Sequence, residues 1–303
     1  MSEIDGSKIG RRSFLALGIG ALAWACGRGG GDNDEAEPLG PDAPDPDKAI
    51  SIVATSVIVA RGDSRQAFAV FRGQRPIVPD GVKAKLVTPD ENEFSVEIDR
   101  ERISRGIGGR SEPTDVTDIF VIRHDFDASG IWGVDVSFDG GRGSAQFQVL
   151  DESPSPIVGQ KALATDSPTG QNPRGVEPIC TRDPVCSMHE VTVAEAVQSG
   201  KPSVLVFATP QFCTSRTCGP IVDIVEEQAE RVGDDVAFVH VEVWRDDQES
   251  VNKPPDGWAP AFAEWKLQTE PWVVFVDADG TIKDRWLGAL GPSELRRAVD
   301  ALR

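Results

Sequence analysis

Between residues 27 and 179 the chain has no cysteine; its five lie at 26, 180, 186, 213 and 218. That absence rules out a disulfide-stapled core for the first half and leaves its stability to apolar packing. Positive charge is also short. Lys and Arg number 31 against 49 Asp and Glu, a net charge of −18, and such a surface does not neutralise a phosphate backbone, so nucleic acid is excluded as a partner. Lys and Arg are missing altogether between Asp32 and Asp47, where acids and prolines alternate. No apolar run is long enough to cross a bilayer easily; the stretch from Phe14 to Ala25 has the length of an export signal instead. What is present, a 39% hydrophobic share over 303 residues, suffices for two domains with real cores and flanking segments.

The order Arg11-Arg12-Ser13-Phe14-Leu15 ahead of that run resembles a twin-arginine export signal. The run ends Ala23-Trp24-Ala25-Cys26-Gly27, which resembles a bacterial lipoprotein box with Cys26 acylated; Ala23-x-Ala25 serves an ordinary signal peptidase equally well. Residues 1–26 are thus expected to be a signal peptide and 27–49 an acidic, Pro/Gly-rich spacer. The expected place is the cell envelope, with a lipid anchor in the membrane if Cys26 is acylated. Either way four cysteines remain in an oxidising compartment.

Residues 50–150 alternate with a period of two. Phe94, Val96 and Ile98 do so, as do Trp132, Val134, Val136 and Phe138, then Ala145, Phe147 and Val149. Turn signals separate these runs at Val78–Gly81, Thr88–Asp90, Ala128–Gly130 and Asp139–Gly143. Roughly seven strands in about 100 residues predict an all-β sandwich that resembles the immunoglobulin-like modules of exported bacterial proteins. His124 reads as a strand-surface residue, and a spacer or docking role is expected of the module. Residues 151–179, rich in Pro, Ser and Gly without periodicity, are expected to be a linker.

The C-terminal domain is expected over 180–303. Its first motif is Cys180-Thr-Arg-Asp-Pro-Val-Cys186-Ser-Met188-His189. Three readings are open: a structural Cys180–Cys186 disulfide, a soft-metal site of Cys186, Met188 and His189 suited to Cu(I), and free or exchanging thiols. Thr192-Val-Ala-Glu195 is a capping-box signature for a short helix ended by Gly200.

Lys201 to Pro220 then delivers Val204–Phe207, an apolar run expected as a buried strand, followed by Cys213 and Cys218 at the start of a helix. A sulfur at a helix N-terminus meets unpaired N–H groups and the favourable end of the dipole, which promote thiolate. Helical spacing follows through Val222, Val225, Ala229 and Val232, then a nearly continuous apolar run from Val236 to Val243. A short helix near Pro260–Lys266, the segment Glu270-Pro271-Trp272, a hairpin turn at Asp277–Gly280 and a last helix with Leu295, Ala298, Val299 and Leu302 on one face complete the domain.

That order, with Phe207-Ala208, Cys218-Gly219-Pro220, Glu270-Pro271 and Leu287-Gly-Ala-Leu290, resembles thioredoxin and exported, TlpA-like members of its family. The resemblance implies an α/β thioredoxin-like fold, a cis-proline at Pro271 facing the cysteines, and thiol–disulfide exchange through Cys213 and Cys218. It calls for no cofactor. Expected partners are the thiols and disulfides of exported proteins and a redox partner. Three departures stand out: four residues separate the cysteines where two are usual, Val206 holds the place of a buried acid, and Phe212 that of a Trp. A bridge five residues apart needs the intervening segment to be non-helical, with the helix starting near Cys218. By resemblance Cys213 is the nucleophile and Cys218 resolves; the dipole favours Cys218. Glu270 is a candidate base, and His240 a core histidine. The alternative readings are a redox-inert binding module with permanent disulfides and a copper-handling protein using Cys213, Cys218 and His189.

Overall fold

The computed structural model describes residues 48–63, 65–103, 117–213, 217–247, 249–251 and 253–303. Arg11, Arg12, Cys26 and nearly all of the signal and spacer lie outside them, as do Thr214, Ser215 and Arg216. Among the described residues no helix is long and apolar enough to cross a membrane.

Among the described residues ten strands build the first domain: β1 (Ile50–Ala54), β2 (Ile58–Ala60), β3 (Arg65–Arg72), β4 (Arg75–Ile77), β5 (Lys83–Val87), β6 (Glu93–Val96), β7 (Asp99–Ile103), β8 (Thr117–Arg123), β9 (Gly130–Phe138) and β10 (Gly141–Leu150). They form two five-stranded sheets, one ordered β1-β3-β8-β7 with β4 also on β3, the other β2-β10-β9-β5-β6. The period-two runs do what their pattern predicts. Trp132, Val134, Val136 and Phe138 of β9, with Phe147 and Val149 of β10, point inward against Phe68, Val70, Phe120 and Ile122. Trp132 meets Phe126 edge-on at 5.2 Å and donates its indole N–H to the Ala128 carbonyl at 2.9 Å. His124 is half-buried against the rings of Phe94, Phe126 and Trp132 rather than lying free on the strand surface.

Strand β3 is buried on both faces. Phe68 and Val70 enter the sandwich core, while Ala67 and Ala69 join Ile103, Ile119, Val121 and Ala289 in a second cluster on the sheet's outer side. Ala289 belongs to the second domain, so small residues on the outer face let that domain approach closely.

The second domain runs α1 (Val193–Gln198), β11 (Ser203–Phe207), α2 (Cys218–Val232), a 3₁₀ turn, β12 (Ala237–Val241), α3 (Pro260–Glu264), β13 (Trp272–Val276), β14 (Ile282–Leu287) and α4 (Pro292–Leu302). Its sheet is ordered β12-β11-β13-β14, with β11 and β12 parallel and the other pairs antiparallel. Every residue of β11 is buried because helices cover both faces. Leu205 and Phe207 pack with α1 and α3; Val204 and Val206 pack with α2 and α4. The capping box at Thr192 and Glu195 forms as its sequence predicts.

Two buried ion pairs fix the sandwich to this domain. Arg65 reaches Glu294 through two nitrogens at 2.6 and 3.1 Å and the Ala289 carbonyl at 2.8 Å. Arg285 grips Asp63 at 2.9 and 2.8 Å and the Ser155 hydroxyl at 2.7 Å. Removing one partner of such a pair strands the other charge, at a cost of about 3–5 kcal/mol. Backbones also touch: Gly288 has φ +82°, and a Cβ there would lie 2.0 Å from the Thr55 carbonyl oxygen. The segment between the domains, 151–192, has little regular structure yet is held down. Gly159 N–H and Ile282 C=O, Ile282 N–H and Gln160 C=O, and Ala162 N–H and Gly280 C=O are paired along β14 and its turn.

Candidate functional site

Two sulfur centres form in the second domain, both on the α2 face of its sheet. The first is the pair expected to react. Cys213 and Cys218 are bridged, with Cα atoms 5.9 Å apart. Helix α2 starts at Cys218, as Gly219-Pro220 implies, and its N-cap Thr217 makes no side-chain cap. The Cys213 sulfur accepts the Cys218 N–H at 3.4 Å. The half-buried Cys213 thus has its sulfur, bonded to that of the fully buried Cys218, at the N-terminal end of α2.

The Glu270–Pro271 peptide is cis, and a Glu270 carboxylate oxygen lies within 4.8 Å of both sulfurs. Burial pushes the Glu270 carboxyl above its ordinary range, and the charge of Glu242 adds to this. Glu242 was not singled out from the sequence, where it sits inside the apolar run 236–243; an acid in such a run is itself the signal. It is almost wholly buried and accepts from the Thr181 N–H and hydroxyl at 3.0 and 2.8 Å and from the Val243 N–H at 2.9 Å. Burial raises its pKa as well, against the lowering influence of His240. Val206 leaves β11 without an acid, and the neighbouring strand β12 supplies one at its end instead.

Beside the first centre, the sandwich and the second domain enclose a cleft of about 530 Å³. Thr217, Pro220 and Glu270 line it on one side and Val53, Val57 and Phe71 on the other. Val53 and Val57 are about half exposed, so this wall offers apolar surface to solvent.

The second centre departs from expectation. Cys180 and Cys186, read as a structural disulfide, are not bonded: their sulfurs are 3.9 Å apart. Two imidazoles lie against the sulfurs instead. Cys186 Sγ lies 3.2 Å from His189 Nε2 and 3.4 Å from His240 Nδ1, and Cys180 Sγ lies 3.6 Å from His240 Nδ1. The hydrogen bond from Cys186, then those of the imidazoles, hold the Cys180 thiol well below the ordinary range. His240, expected as a core histidine, is buried but faces this centre, and its Nε2–H donates to the Ala208 carbonyl at 3.0 Å. Thus His189 joins Cys180, Cys186 and His240 rather than Cys213 and Cys218. Met188 contributes its carbonyl to the His240 N–H at 2.8 Å and its side chain to the core. Arg182 fastens the loop to α2 through Asp223 at 2.6 Å and Glu226 at 3.1 Å.

Among solved structures, the M1 domain from titin is 10% identical, covers 35% of this chain and 96% of its own, and gives a TM-score of 0.21. The Ig1 domain of mouse SynCAM 2 is 11% identical over 34% of this chain and 97% of its own, with a TM-score of 0.19. A search of curated proteins returned no match. The model of the thioredoxin-like domain family matches residues 190–303. The C-terminal part of the chain is thus a thioredoxin-like domain, and the N-terminal part is strand-rich.

Proposed function

We propose that the chain is an extracytoplasmic thiol–disulfide oxidoreductase whose working pair is Cys213 and Cys218. The observation that carries this is the position of the Cys213 sulfur: half-buried, bridged to a buried partner, and accepting the first N–H of α2. In the reducing direction the Cys213 thiolate attacks a substrate disulfide, forming a mixed disulfide and releasing one substrate thiolate. Cys218, deprotonated, then attacks the Cys213 sulfur; the Cys213–Cys218 bridge forms, the second substrate thiolate leaves, and two electrons have passed to substrate. Oxidation of a substrate dithiol is the same sequence reversed. Glu270, close to both sulfurs and with its carboxyl held above its ordinary range by burial, takes the proton from Cys218 and returns it to a leaving thiolate. The apolar cleft suits an unfolded or extended segment of an exported protein, with the sandwich as a fixed second wall.

Export by the Arg11-Arg12 signal and anchoring through Cys26 complete this reading and rest on sequence alone. The deciding experiment is capture. Cys218→Ser is expected to accumulate a mixed disulfide through Cys213, and the wild-type pair to titrate reversibly against a glutathione or dithiothreitol couple. A pair that dithiothreitol does not reduce in the folded protein, with no adduct in Cys218→Ser, removes the redox function and leaves a binding module.

A further inference from the structure

The second sulfur centre takes no part in exchange as described, and its geometry asks for an occupant. Cys180, Cys186, His189 and His240 are 3%, 4%, 6% and 1% exposed. One ligand atom from each lies within 4.8 Å of all the others. A tetrahedral zinc ion, about 2.3 Å from sulfur and about 2.0 Å from nitrogen, sets its two sulfurs about 3.8 Å apart and each sulfur about 3.5 Å from each nitrogen. The separations here are 3.9 Å between sulfurs and 3.2, 3.4 and 3.6 Å from sulfur to nitrogen. Four side chains from two separate parts of the chain thus give four of the six edges of a metal-sized tetrahedron, and the other two are within 4.8 Å.

The surroundings fit the same reading. His240 donates Nε2–H to the Ala208 carbonyl, which fixes the tautomer and leaves the Nδ1 lone pair facing the sulfurs. Sulfur and imidazole in a Cys₂His₂ tetrahedron select zinc, whereas calcium and magnesium require oxygen. All four positions belong to the protein and all are buried, so no corner is open to substrate.

We propose that Cys180, Cys186, His189 and His240 form a closed structural site for one zinc ion. The ion pins the 179–190 segment to the exposed edge of β12, where the His240 N–H already bonds the Met188 carbonyl at 2.8 Å. It thereby supports the redox loop from below. Thr181, next to Cys180, holds both the Gln211 N–H at 3.2 Å and the Glu242 carboxylate, and Ala208, which bonds His240, begins the chain's path to Cys213. Binding displaces the protons of the thiols that become thiolates, so metal uptake acidifies a weakly buffered solution.

The test uses the full chain, reduced, stripped with a chelator, and titrated separately with Zn²⁺ and Co²⁺. One Zn²⁺ per chain is expected, with Cys180 and Cys186 shielded from alkylation while Cys213 and Cys218 still react. Co²⁺ should give the visible spectrum of a tetrahedral thiolate site. Cys186→Ser should lose the spectrum and the shielding. His189→Asn, whose side chain is nearer the surface than that of His240, gives a second loss should Cys186→Ser fold poorly; folding is judged by circular dichroism. The proposal is overturned if the reduced chain retains no Zn²⁺, or if metal binding survives in both variants and disappears in Cys213→Ser. It also falls if the zinc-treated chain forms a Cys180–Cys186 disulfide in air as fast as the stripped chain. None of these results depends on whether Cys213 exchanges with a substrate.

Discussion

Two cysteine pairs of nearly equal spacing, five and six residues apart, lie in one hydrophobic cluster and yet meet different fates. Cys213 and Cys218 straddle the start of a long helix, with one sulfur half-exposed and a carboxylate alongside. Cys180 and Cys186 sit in a tight loop under the edge of the sheet, with imidazoles at each sulfur and solvent shut out. Spacing therefore decides little. Access and the nearest nitrogen or oxygen decide whether a thiol pair exchanges electrons or holds its place.

Swapping serine into each pair tests that contrast most severely. Cys213→Ser should abolish exchange, and Cys218→Ser should stop it at the mixed disulfide. Cys186→Ser should leave exchange running in whatever fraction of the chain stays folded. Loss of exchange in folded Cys186→Ser, judged by unchanged circular dichroism, would join the two centres into one machine.

The next contrast is the cleft, which borders only the first pair. Glu294→Ala strands the buried Arg65 guanidinium and should cost about 3–5 kcal/mol of stability. A Glu294→Leu/Arg65→Met double variant, with no buried charge left to strand, should recover much of that in a urea titration. If the sandwich is the second wall of a substrate site, the double variant should lose exchange with an unfolded protein disulfide more than with a small dithiol. Equal losses would reduce the sandwich to a spacer.

Glu270 should separate thiol reactivity from turnover. Glu270→Gln removes a negative charge near the sulfurs, so the Cys213 thiolate forms more readily and alkylation at fixed pH quickens. It also removes the proton carrier, and turnover should fall about a hundredfold, the low end of the roughly 10²–10⁴ such groups supply. Stopped-flow alkylation and steady-state exchange on one sample would show the opposite signs. Equal falls would mean that Glu270 only shapes the loop.

The first centre was legible in the sequence because its evidence is local. An apolar strand, two cysteines and Gly-Pro in a helix start lie within twenty residues, and Glu270-Pro271 announces its own turn. The period of two likewise marked Trp132, Val134 and Val136 as core. The second centre was not legible, because His240 is 54 residues from Cys186 and reaches it only through the sheet order that puts β12 on the edge. By spacing alone a disulfide was the better expectation. The domain interface was hidden for the same reason: Arg65 and Glu294 lie 229 residues apart, and neither stands in a recognisable motif. Residues 151–179 carry no periodicity because their order comes from hydrogen bonds to scattered partners, β14 and its turn, His189, Ala194 and Arg245, rather than from a face of their own.

Glu242 stands between the centres, bonded to Thr181 beside Cys180 and repelling Glu270 beside Cys213. Its effect should be the smallest and the most dependent on pH. The folded chain holds Glu242 and Glu270 above the ordinary carboxyl value of 4.5, chiefly by burial. Between that value and the raised ones the folded state keeps protons that the unfolded chain has released, so stability is full below 4.5 and declines as pH rises through the folded values. Glu242→Gln removes one titrating group and the repulsion that lifts Glu270, and should flatten this decline. It also loses one acceptor among the bonds from Thr181 and Val243, worth about 0.5–1.5 kcal/mol. The variant should therefore be the less stable at low pH, and its curve should approach or cross the wild type as pH rises. Urea midpoints at a series of pH values distinguish this from parallel curves, which would mean that the carboxyl group serves both centres only as a hydrogen-bond acceptor and that its charge is irrelevant to either.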